Sequence, residues 1–414
     1  MKLKIKEPKF NSNTLLVTMD VGKKLNYGYA RCKNGTSLPV FTFSNTGEGF
    51  RYLLNKVEQF RRKKGLRKLL FGLESTGSYG QALIYFLYKR GFDIVQINPM
   101  HTKRVKEIQD NSPNKTDKKD PKVIADIIEL NRYLSLIIPE GASADLRGLI
   151  HLREHKLDDI TRIYNRIESQ LYLIFPEFLS VMKTLKTKTA LYLIKHYPTP
   201  QALCKLGLKK LIHEIERISR KQLGNKKAED LYHAALSSAG ITDGAESIID
   251  GIQMHLNELE LYQTHKDELE NKIDNKLKAV PYSQRILSVR GIGVITTAAI
   301  IGEVGDLKQY QSNNEVLKVA GLNLYEISSG QHKGERHISK RGRSLLRKTL
   351  YFAALNVTRK DGILHDKYHS YIERGMLKNK ALTAISRKLM GIIFALVRDN
   401  VNYIEGYKVL SKVA

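Results

Sequence analysis

Short apolar runs alternate with amphipathic stretches over residues 14–98, and this alternation predicts strands and helices in turn. The apolar runs are rich in β-branched and aromatic residues, which is typical of strands, and we predict strands at 15–20, 26–32, 39–44, 69–74 and 92–97. Apolar residues that recur every three or four positions predict helices at 49–64 and 79–89. We therefore expect an α/β sheet in this part of the chain.

Three regions follow from the way this pattern changes along the 414 residues. The element order of the first region, three strands followed by helix, strand, helix and strand, matches the ribonuclease-H-like fold, and we place this domain at 1–142. Residues 143–280 are predicted to be helical. Residues 281–414 contain glycine-punctuated short helices and become continuously helical from Ser344 onward, so we expect a mainly α C-terminal domain.

The middle region carries an apolar seam whose members step by three and four residues, as in a coiled coil: Leu157, Ile160, Tyr164, Ile167, Leu171 and Ile174. A second, weaker seam contains Leu259, Tyr262, Leu269 and Ile273. Two interpretations stay open. The seams form a local antiparallel hairpin within one chain, or the first seam forms a coiled coil between two protomers.

Positive charge dominates the chain, which has 69 Lys and Arg against 42 Asp and Glu, a net charge of +27. This balance indicates a polyanionic partner, and we favour nucleic acid over ribosomes or anionic membranes. The two cysteines, Cys32 and Cys204, offer neither a disulfide framework nor a cysteine zinc site, which fits a reducing cytoplasm. We expect no secretory signal, and the longest uncharged apolar stretch, 291–302, is too short to span a bilayer.

Four carboxylates stand out against this background. Asp20 and Glu74 each end a predicted strand, and Asp117 and Asp120 lie three residues apart in a lysine-rich stretch. If the first and fourth strands pair in parallel, their ends lie side by side, and residues at i and i+3 share a helix face. Hard carboxylate oxygens suit Mg²⁺ or Mn²⁺, so the four acids predict a two-metal site for phosphodiester chemistry.

Simpler interpretations exist for individual acids. Asp120 precedes Pro121 and could cap a helix that begins at Lys122, because Asp caps well and proline suits the first turn. Glu74 is a weaker candidate for a cap, since Ser75 or Thr76 would serve better. Asp126 is a possible substitute ligand.

These motifs resemble a known family. The segments Met19-Asp20-Val21-Gly22-Lys23, Leu73-Glu74-Ser75-Thr76-Gly77 and Lys115 to Asp120 look like the N-terminal Asp-Glu-Asp-Asp domain of transposases from bridge-RNA-guided bacterial insertion sequences. That family is related to the pilin-gene invertase, and its first domain resembles the Holliday-junction resolvase fold. In the C-terminal region, Leu287 to Gly293, Gly302 to Asp306, Ala320 to Leu322, Ser329-Gly330, Ile338 to Gly342 and Leu346-Arg347 follow the family's second domain in order.

The resemblance implies that Ser329 is a catalytic nucleophile that forms a covalent phosphoserine link to DNA. It also implies metal ions held by the four acids, donor and target DNA, a structured guide RNA, and a dimer or tetramer in which one protomer's acids meet another's serine. Ser328 is the alternative nucleophile. The chain departs from the family pattern at Leu324, where proline is usual, and at Pro121, where a small residue is usual.

Basic residues surround both motifs. We expect the following residues to contact nucleic acid: Lys103, Arg104, Lys115, Lys118 and Lys119 near the acids, and Lys333, Arg336, Lys340, Arg341, Arg343 and Arg347 near the serine. Arg290, Gly291 and Gly293 resemble a helix-hairpin-helix phosphate clip, whose glycines let backbone N–H groups approach a phosphate. A tight turn in a small helical core is the equal alternative for that segment.

Three functions are compatible with these observations. The first is an RNA-guided DNA transposase, or recombinase, that is cytoplasmic and associated with the nucleoid. The second is a metal-dependent junction endonuclease that needs the acids but not Ser329. The third is an inactive nucleic-acid-binding derivative that needs neither.

Overall fold

A computed structural model describes residues 10–74, 77–110, 119–136, 138–326, 334 and 336–405. The chain divides into two compact units, residues 1–138 and 139–414. The first unit is an α/β domain and the second is almost entirely helical. The finer division of the chain at 142 and 280 stays a prediction.

The first unit is built on a six-stranded sheet in the order β3-β2-β1-β4-β5-β6. Strands β1 and β4, and β4 and β5, pair in parallel, whereas β1–β2, β2–β3 and β5–β6 are antiparallel. The strands are β1 (Thr14–Val21), β2 (Leu25–Arg31), β3 (Ser37–Ser44), β4 (Lys68–Glu74), β5 (Asp93–Ile97) and β6 (Leu134–Ser135), and the helices are α1 (Gly47–Lys63), α2 (Gln81–Tyr88), α3 (Pro99–Asp110) and α4 (Asp120–Glu129). The α/β sheet and its first five strands are confirmed.

Both faces of the central strands are buried, which explains why β1 and β4 read as almost continuous apolar runs. Leu15, Val17 and Met19 of β1 pack in the core beneath α1 and α2. Leu16 points to the opposite face, where it packs with Ile124 and other residues of α4. Residues of β1 therefore alternate between two cores, and this alternation decides on which face each polar side chain lies.

The second unit begins with a long helix and contains thirteen helices among its described residues. They are α5 (Ala142–Ile174), α6 (Phe178–Met182), α7 (Lys188–His196), α8 (Pro200–Leu206), α9 (Leu208–Ser219), α10 (Asn225–Leu236), α11 (Ala245–Lys278), α12 (Ser283–Leu287), α13 (Val294–Val304), α14 (Asn313–Ala320), α15 (Ser344–Val357), α16 (His365–Glu373) and α17 (Lys378–Asp399). A short antiparallel pair, β7 (Leu324–Glu326) and β8 (Arg336–Ile338), interrupts the helices and was not predicted.

Helices α5 and α11 form an antiparallel hairpin within one chain. The Arg153 guanidinium lies 2.7 Å from the Glu270 carboxylate, and the Lys276 ammonium lies 2.7 Å from the Asp145 carboxylate. Residues later in α5 therefore pair with residues earlier in α11, as in an antiparallel pair. Four seam residues, Ile167, Leu171, Ile174 and Leu259, are buried in a core that these helices form with the smaller helices α6 to α10, and Ile160, Tyr164 and Tyr262 pack against it. The intrachain interpretation of the seams is thus the one that the structure supports.

Candidate active site and nucleic-acid interface

Two of the predicted acids lie at the same edge of the sheet. In the parallel pairing of β1 with β4, Met19 is opposite Leu73, so Asp20 and Glu74 are the next residues along their strands. Gly72 and Thr18 lie on the face of the sheet that packs against α4, because a Cβ added to Gly72 would stand 2.2 Å from Ile128 of α4 and 3.4 Å from Thr18. Side chains two residues apart on a strand share a face, so Glu74 and Asp20 lie on this face as well. Sequence reasoning placed these two carboxylates correctly on neighbouring strands.

A hydrogen bond brings a third acid to this edge. The buried Thr18 hydroxyl donates to the carbonyl oxygen of Pro121 at 2.6 Å, which fixes the first turn of α4 against β1. Asp120 precedes Pro121 and is itself buried, with 7% of its surface exposed. Asp20, Glu74 and Asp120 therefore approach one corner of the domain, which we call the acidic edge.

The three acids of the acidic edge lie in the same part of the domain, but they do not form a complete metal site. Among the described residues, no three His, Cys, Asp or Glu side chains stand close enough together to hold a metal ion as they are. Asp117, the fourth predicted ligand, lies outside the described residues, as do Ser75 and Thr76. The donor chemistry fits Mg²⁺ or Mn²⁺, since carboxylate oxygens are the ligands that these ions take.

Helix α4 begins at Asp120, with Lys119 at the N-cap position and no side-chain cap bond there. Asp120 is therefore the first helical residue, and Pro121 occupies the first turn, where proline is well tolerated. A helix that begins only at Lys122 with Asp120 as its cap, the simpler alternative, is not what the structure has.

Asp126, the possible substitute ligand, forms an ion pair with Arg31 of β2 at 2.7 Å. The same guanidinium lies 2.8 Å from Glu129, which also pairs with Lys33 at 2.7 Å. The hydrogen bond from Lys33 holds the pKa of Glu129 below its usual range. These pairs tie the C-terminal half of α4 to the end of β2. Local sequence patterns do not reveal them, because the partners lie about a hundred positions apart.

The predicted serine falls in the connection between β7 and β8. Ser328, Ser329 and Lys333 lie outside the described residues, but the two strands that bracket them are described. The backbone N–H groups of Ser339 and Lys340 donate to the carbonyls of Asn323 and Gly321, each at 2.9 Å. These bonds join the residues just before β7 to those just after β8. The two ends of the hairpin that carries Ser329 are therefore held together.

Two motif glycines, Gly321 and Gly342, allow these two segments to approach each other closely. A Cβ on Gly342 would stand 2.4 Å from the backbone nitrogen of Gly321, a distance that no real side chain tolerates. Gly321 itself has a φ of +67°, which favours glycine. The close approach of these segments therefore requires both residues.

The basic residues near the serine divide into two groups. Arg336 and Arg341 are exposed, and Arg336 pairs with Glu326 across the hairpin at 2.9 Å. Lys340 is also exposed and has a left-handed backbone with φ +53°. The positive charges of these three residues are therefore accessible to solvent at the hairpin.

Arg343 and Arg347 instead have partners inside the protein. Arg343 donates to the carbonyl of Glu303 and lies 3.9 Å from its carboxylate, which is 2% exposed. Burial lowers the pKa of Arg343, and the nearby charge of Arg147 lowers it further. Arg347 donates to the carbonyl of Ala320 at 3.0 Å. Both side chains hold the hairpin of β7 and β8, which we call the serine hairpin, to the neighbouring helices.

The segment that resembles a helix-hairpin-helix clip is a turn between α12 and α13. Gly291 has a φ of +93°, and a Cβ there would press on Val357 at 3.3 Å, so its packing also requires glycine. Gly293 is exposed, precedes α13 at the N-cap position and provides no side-chain cap bond. Arg290 is exposed and lies 3.8 Å from Asp361. A phosphate clip and a packed turn are both compatible with this geometry.

Of the basic residues near the acids, Lys103 and Arg104 are exposed on α3, and Lys119 is exposed where α4 begins. Lys115 and Lys118 lie outside the described residues. The described cations therefore present positive charge on the same domain as the acidic edge.

Comparison with known proteins identifies the two regions that carry these motifs. Residues 17–176 match the family model DEDD_Tnp_IS110, described as a transposase, and residues 283–369 match the model described as transposase of the IS116/IS110/IS902 family. The chain carries both domains of an IS110/IS116-type transposase. The first match spans all four acids of the transposase, and the second spans Ser329 and the turn at Gly291. Such enzymes cleave DNA and transfer its strands.

Relatives extend the similarity over almost the whole transposase. The chain is 24% identical over 388 residues to the "Insertion element IS110 uncharacterized 43.6 kDa protein" of Streptomyces coelicolor, covering 93% of this chain and 94% of the relative. It is 25% identical over 387 residues to a 44.8 kDa protein of insertion element IS116 from Streptomyces clavuligerus, covering 92% and 94%. The transposase for insertion sequence element IS1111A of Coxiella burnetii is 30% identical over 148 residues, 34% of this chain and 40% of the relative.

In the described part of the transposase, no helix is both long and apolar enough to cross a membrane.

Proposed function

We propose that this chain is an RNA-guided DNA transposase that cleaves and exchanges strands through a covalent phosphoserine intermediate. The acidic edge carries the proposal, because Asp20, Glu74 and Asp120 come from two neighbouring strands and a helix that the Thr18–Pro121 hydrogen bond fixes in place. Carboxylates that lie at one edge of a sheet suit a divalent cation, and a net charge of +27 suits a polyanionic substrate.

Asp20, Glu74, Asp117 and Asp120 would hold Mg²⁺ or Mn²⁺. Bound there, the ions would neutralise the scissile phosphate and favour the alkoxide form of the nucleophile. The donor set supports this assignment, since it consists of carboxylates alone and the N-terminal ribonuclease-H-like or resolvase-like fold that we propose presents acids at this edge of its sheet. The sheet order, with three antiparallel strands followed by two parallel ones, supports that fold.

Ser329 would act as the nucleophile. Its Oγ loses a proton and forms a bond to phosphorus, while the bond between phosphorus and one bridging sugar oxygen breaks and that oxygen takes up a proton as a hydroxyl. A hydroxyl of a second DNA strand then attacks the phosphoserine and releases the serine. One phosphodiester is lost and one is formed, so strand exchange needs no ATP.

A structured guide RNA would select the donor and target DNA, and the nucleoid would be the site of action. The high net charge supports both nucleic-acid partners. The acids lie in the first unit and Ser329 lies in the second. As the family resemblance implies, two or four protomers would assemble so that one chain's acids serve another chain's serine. Because apolar residues of the α5 and α11 seams pack against residues of the same chain, other surfaces would make the contacts between protomers.

The test is cleavage of a junction substrate from the insertion element by wild-type protein, Ser329→Ala and Asp20→Ala in the presence of Mg²⁺. We expect a protein–DNA adduct on denaturing gels with wild type alone. Ser328→Ala is the matched control and should keep the adduct. Undiminished cleavage by Ser329→Ala would instead identify a junction endonuclease, and DNA binding without any cleavage by wild type would identify an inactive derivative. Sequencing of co-purified RNA tests the guide: bulk cellular RNA alone would exclude it.

A further inference from the structure

A groove of about 350 Å³ opens between α15 and α17, beside the serine hairpin. One wall is a stripe of α15 that contains Arg347, Lys348, Tyr351 and Phe352, and Thr383 of α17 lies opposite. These α15 residues recur at helical spacing, so they face the groove together. The volume falls in the range of pockets that bind small molecules, which starts at about 300 Å³.

The groove combines an aromatic surface with positive charge. Phe352 is 55% exposed, which is unusual for so large an apolar side chain in the middle of a helix. Its ring meets that of Tyr351 edge-on, with centroids 6.1 Å apart, and the Tyr351 hydroxyl donates to Asn379 at 3.0 Å. Arg347 is anchored to the Ala320 carbonyl, whereas Lys348 is paired with Glu154. Arg347 therefore supplies the principal positive charge.

The groove lies close to the point where the connection with Ser329 begins. Ile338, the last residue of β8, lines the groove, and Arg336, the first, adjoins that connection. Arg336 and Ile338 are two residues apart in β8, which spans about 7 Å. A DNA strand that follows β8 from its first residue would pass the mouth of the groove.

We propose that this groove takes one unstacked base of the DNA strand next to the scissile phosphate. Phe352 covers the face of the base, and Arg347 meets the adjoining phosphate. An aromatic ring stacks on any base, so the groove holds the strand in register without reading its sequence. This assignment rests on the proposed function only for the position of the strand relative to Ser329; the groove itself is a property of the second unit.

Binding of a fluorescein-labelled oligothymidylate to the full-length protein tests the groove without strand chemistry. We expect Phe352→Ala to weaken binding about ten-fold, because loss of one stacking contact costs on the order of a factor of ten. Phe352→Leu should weaken it similarly, since leucine keeps apolar volume but not the ring, and Phe352→Tyr should retain wild-type affinity.

The matched control is Leu355→Ala, which removes an exposed apolar side chain from the same helix without lining the described groove. It should bind like wild type. If Phe352→Ala and Phe352→Leu also bind within two-fold of wild type, the groove does not take a base. If an oligouridylate of equal length binds more tightly and carries the whole Phe352 effect, the occupant is RNA and the DNA assignment is overturned.

Position along the strand is tested with cleavable substrates in which single bases are replaced by abasic sites. One abasic position on the strand should lower wild-type cleavage and leave Phe352→Ala unaffected, because that variant has already lost the contact. Equal losses in both proteins at every position would overturn the proposal. Cleavage by Ser329→Ala would contradict the proposed function alone, since the oligothymidylate experiment does not depend on the serine.

Discussion

At the scale of single residues, the contact that organises the acidic edge is made by a threonine and not by an acid. Thr18 lies in an apolar strand, and its partner Pro121 is 103 positions away. Periodicity predicts that residue 18 points to one face of β1, but it cannot predict which loop that face will meet. Acids at strand ends could be found from the sequence, whereas the bond that brings Asp120 to them depends on tertiary structure.

Replacement of Thr18 by valine should loosen the start of α4. The variant leaves the Pro121 carbonyl buried without its donor, which costs about 1 to 3 kcal/mol. We expect faster amide hydrogen exchange in α4, measured by mass spectrometry on the full chain, and reduced cleavage. Thr161→Val removes an exposed hydroxyl that donates within its own helix and should change exchange very little. Unchanged protection of α4 in Thr18→Val would show that the bond does not hold the helix.

Glu303 is the other residue whose role the sequence did not reveal. Its buried carboxylate lies 2.7 Å from His151, 3.4 Å from Arg147 and 3.9 Å from Arg343. It therefore joins α5, α13 and the segment that begins α15. The pattern Gly302-Glu303 suggested a family motif, but an isolated acid in an apolar helix gives no indication of two arginines and a histidine that reach it from distant positions.

Glu303→Gln should destabilise the second unit, because it leaves the largely buried Arg343 without its counter-charge. Removal of one partner from a buried pair costs about 3 kcal/mol or more, so we expect the Tm of this unit to fall by several degrees in calorimetry. Glu326→Gln breaks the exposed pair with Arg336 and should cost at most about 1 kcal/mol. Equal shifts for the two variants would mean that Glu303 acts as a surface charge.

At the scale of elements, length and burial decided which predictions succeeded. The five predicted strands are five to eight residues long, and the central ones are buried on both faces, so their apolar runs were clear. Strands β7 and β8 have three residues each and are largely exposed, and β6 has two residues. Such short segments have no period to detect, and backbone pairing alone defines them.

The helical seams show a different limit. Their spacing predicted two long helices with one apolar face each, which is what α5 and α11 are. A heptad pattern specifies that a face will be covered but not by which chain. The ion pairs of Asp145 with Lys276 and of Arg153 with Glu270 support a partner within one chain.

Carbodiimide cross-linking should detect this hairpin in solution. The reagent joins a carboxylate to an amine in contact, so we expect a cross-linked peptide pair containing Asp145 and Lys276, whose charged atoms are 2.7 Å apart. In a mixture of ¹⁴N- and ¹⁵N-labelled protein, this pair should carry a single isotope. Lys276→Gln is the control and removes the product. A pair of mixed isotopes would place the contact between protomers.

At the scale of the whole molecule, the excess of positive charge is what a chain that handles long polyanions requires. The described cations near the acids, Lys103 and Arg104, are exposed, whereas Arg343 serves the internal structure of the second unit. Net charge therefore overstates the number of residues that meet a phosphate. Salt dependence of binding distinguishes the two groups, because only cations that displace counterions from DNA contribute to its slope.

We expect the affinity for duplex DNA to fall steeply with salt, with each phosphate contact adding about 0.9 to the slope of log Kobs against log salt concentration. Lys103→Gln and Arg104→Gln should each lower the slope by about one. Lys278→Gln is the matched control, since Lys278 is equally a surface cation but pairs with Asp274 at 2.7 Å. Phe352→Ala should leave the slope unchanged while it weakens single-strand binding, because stacking releases no counterions. Equal slope changes for Lys103 and Lys278 would mean that net charge, rather than a defined surface, attracts the DNA.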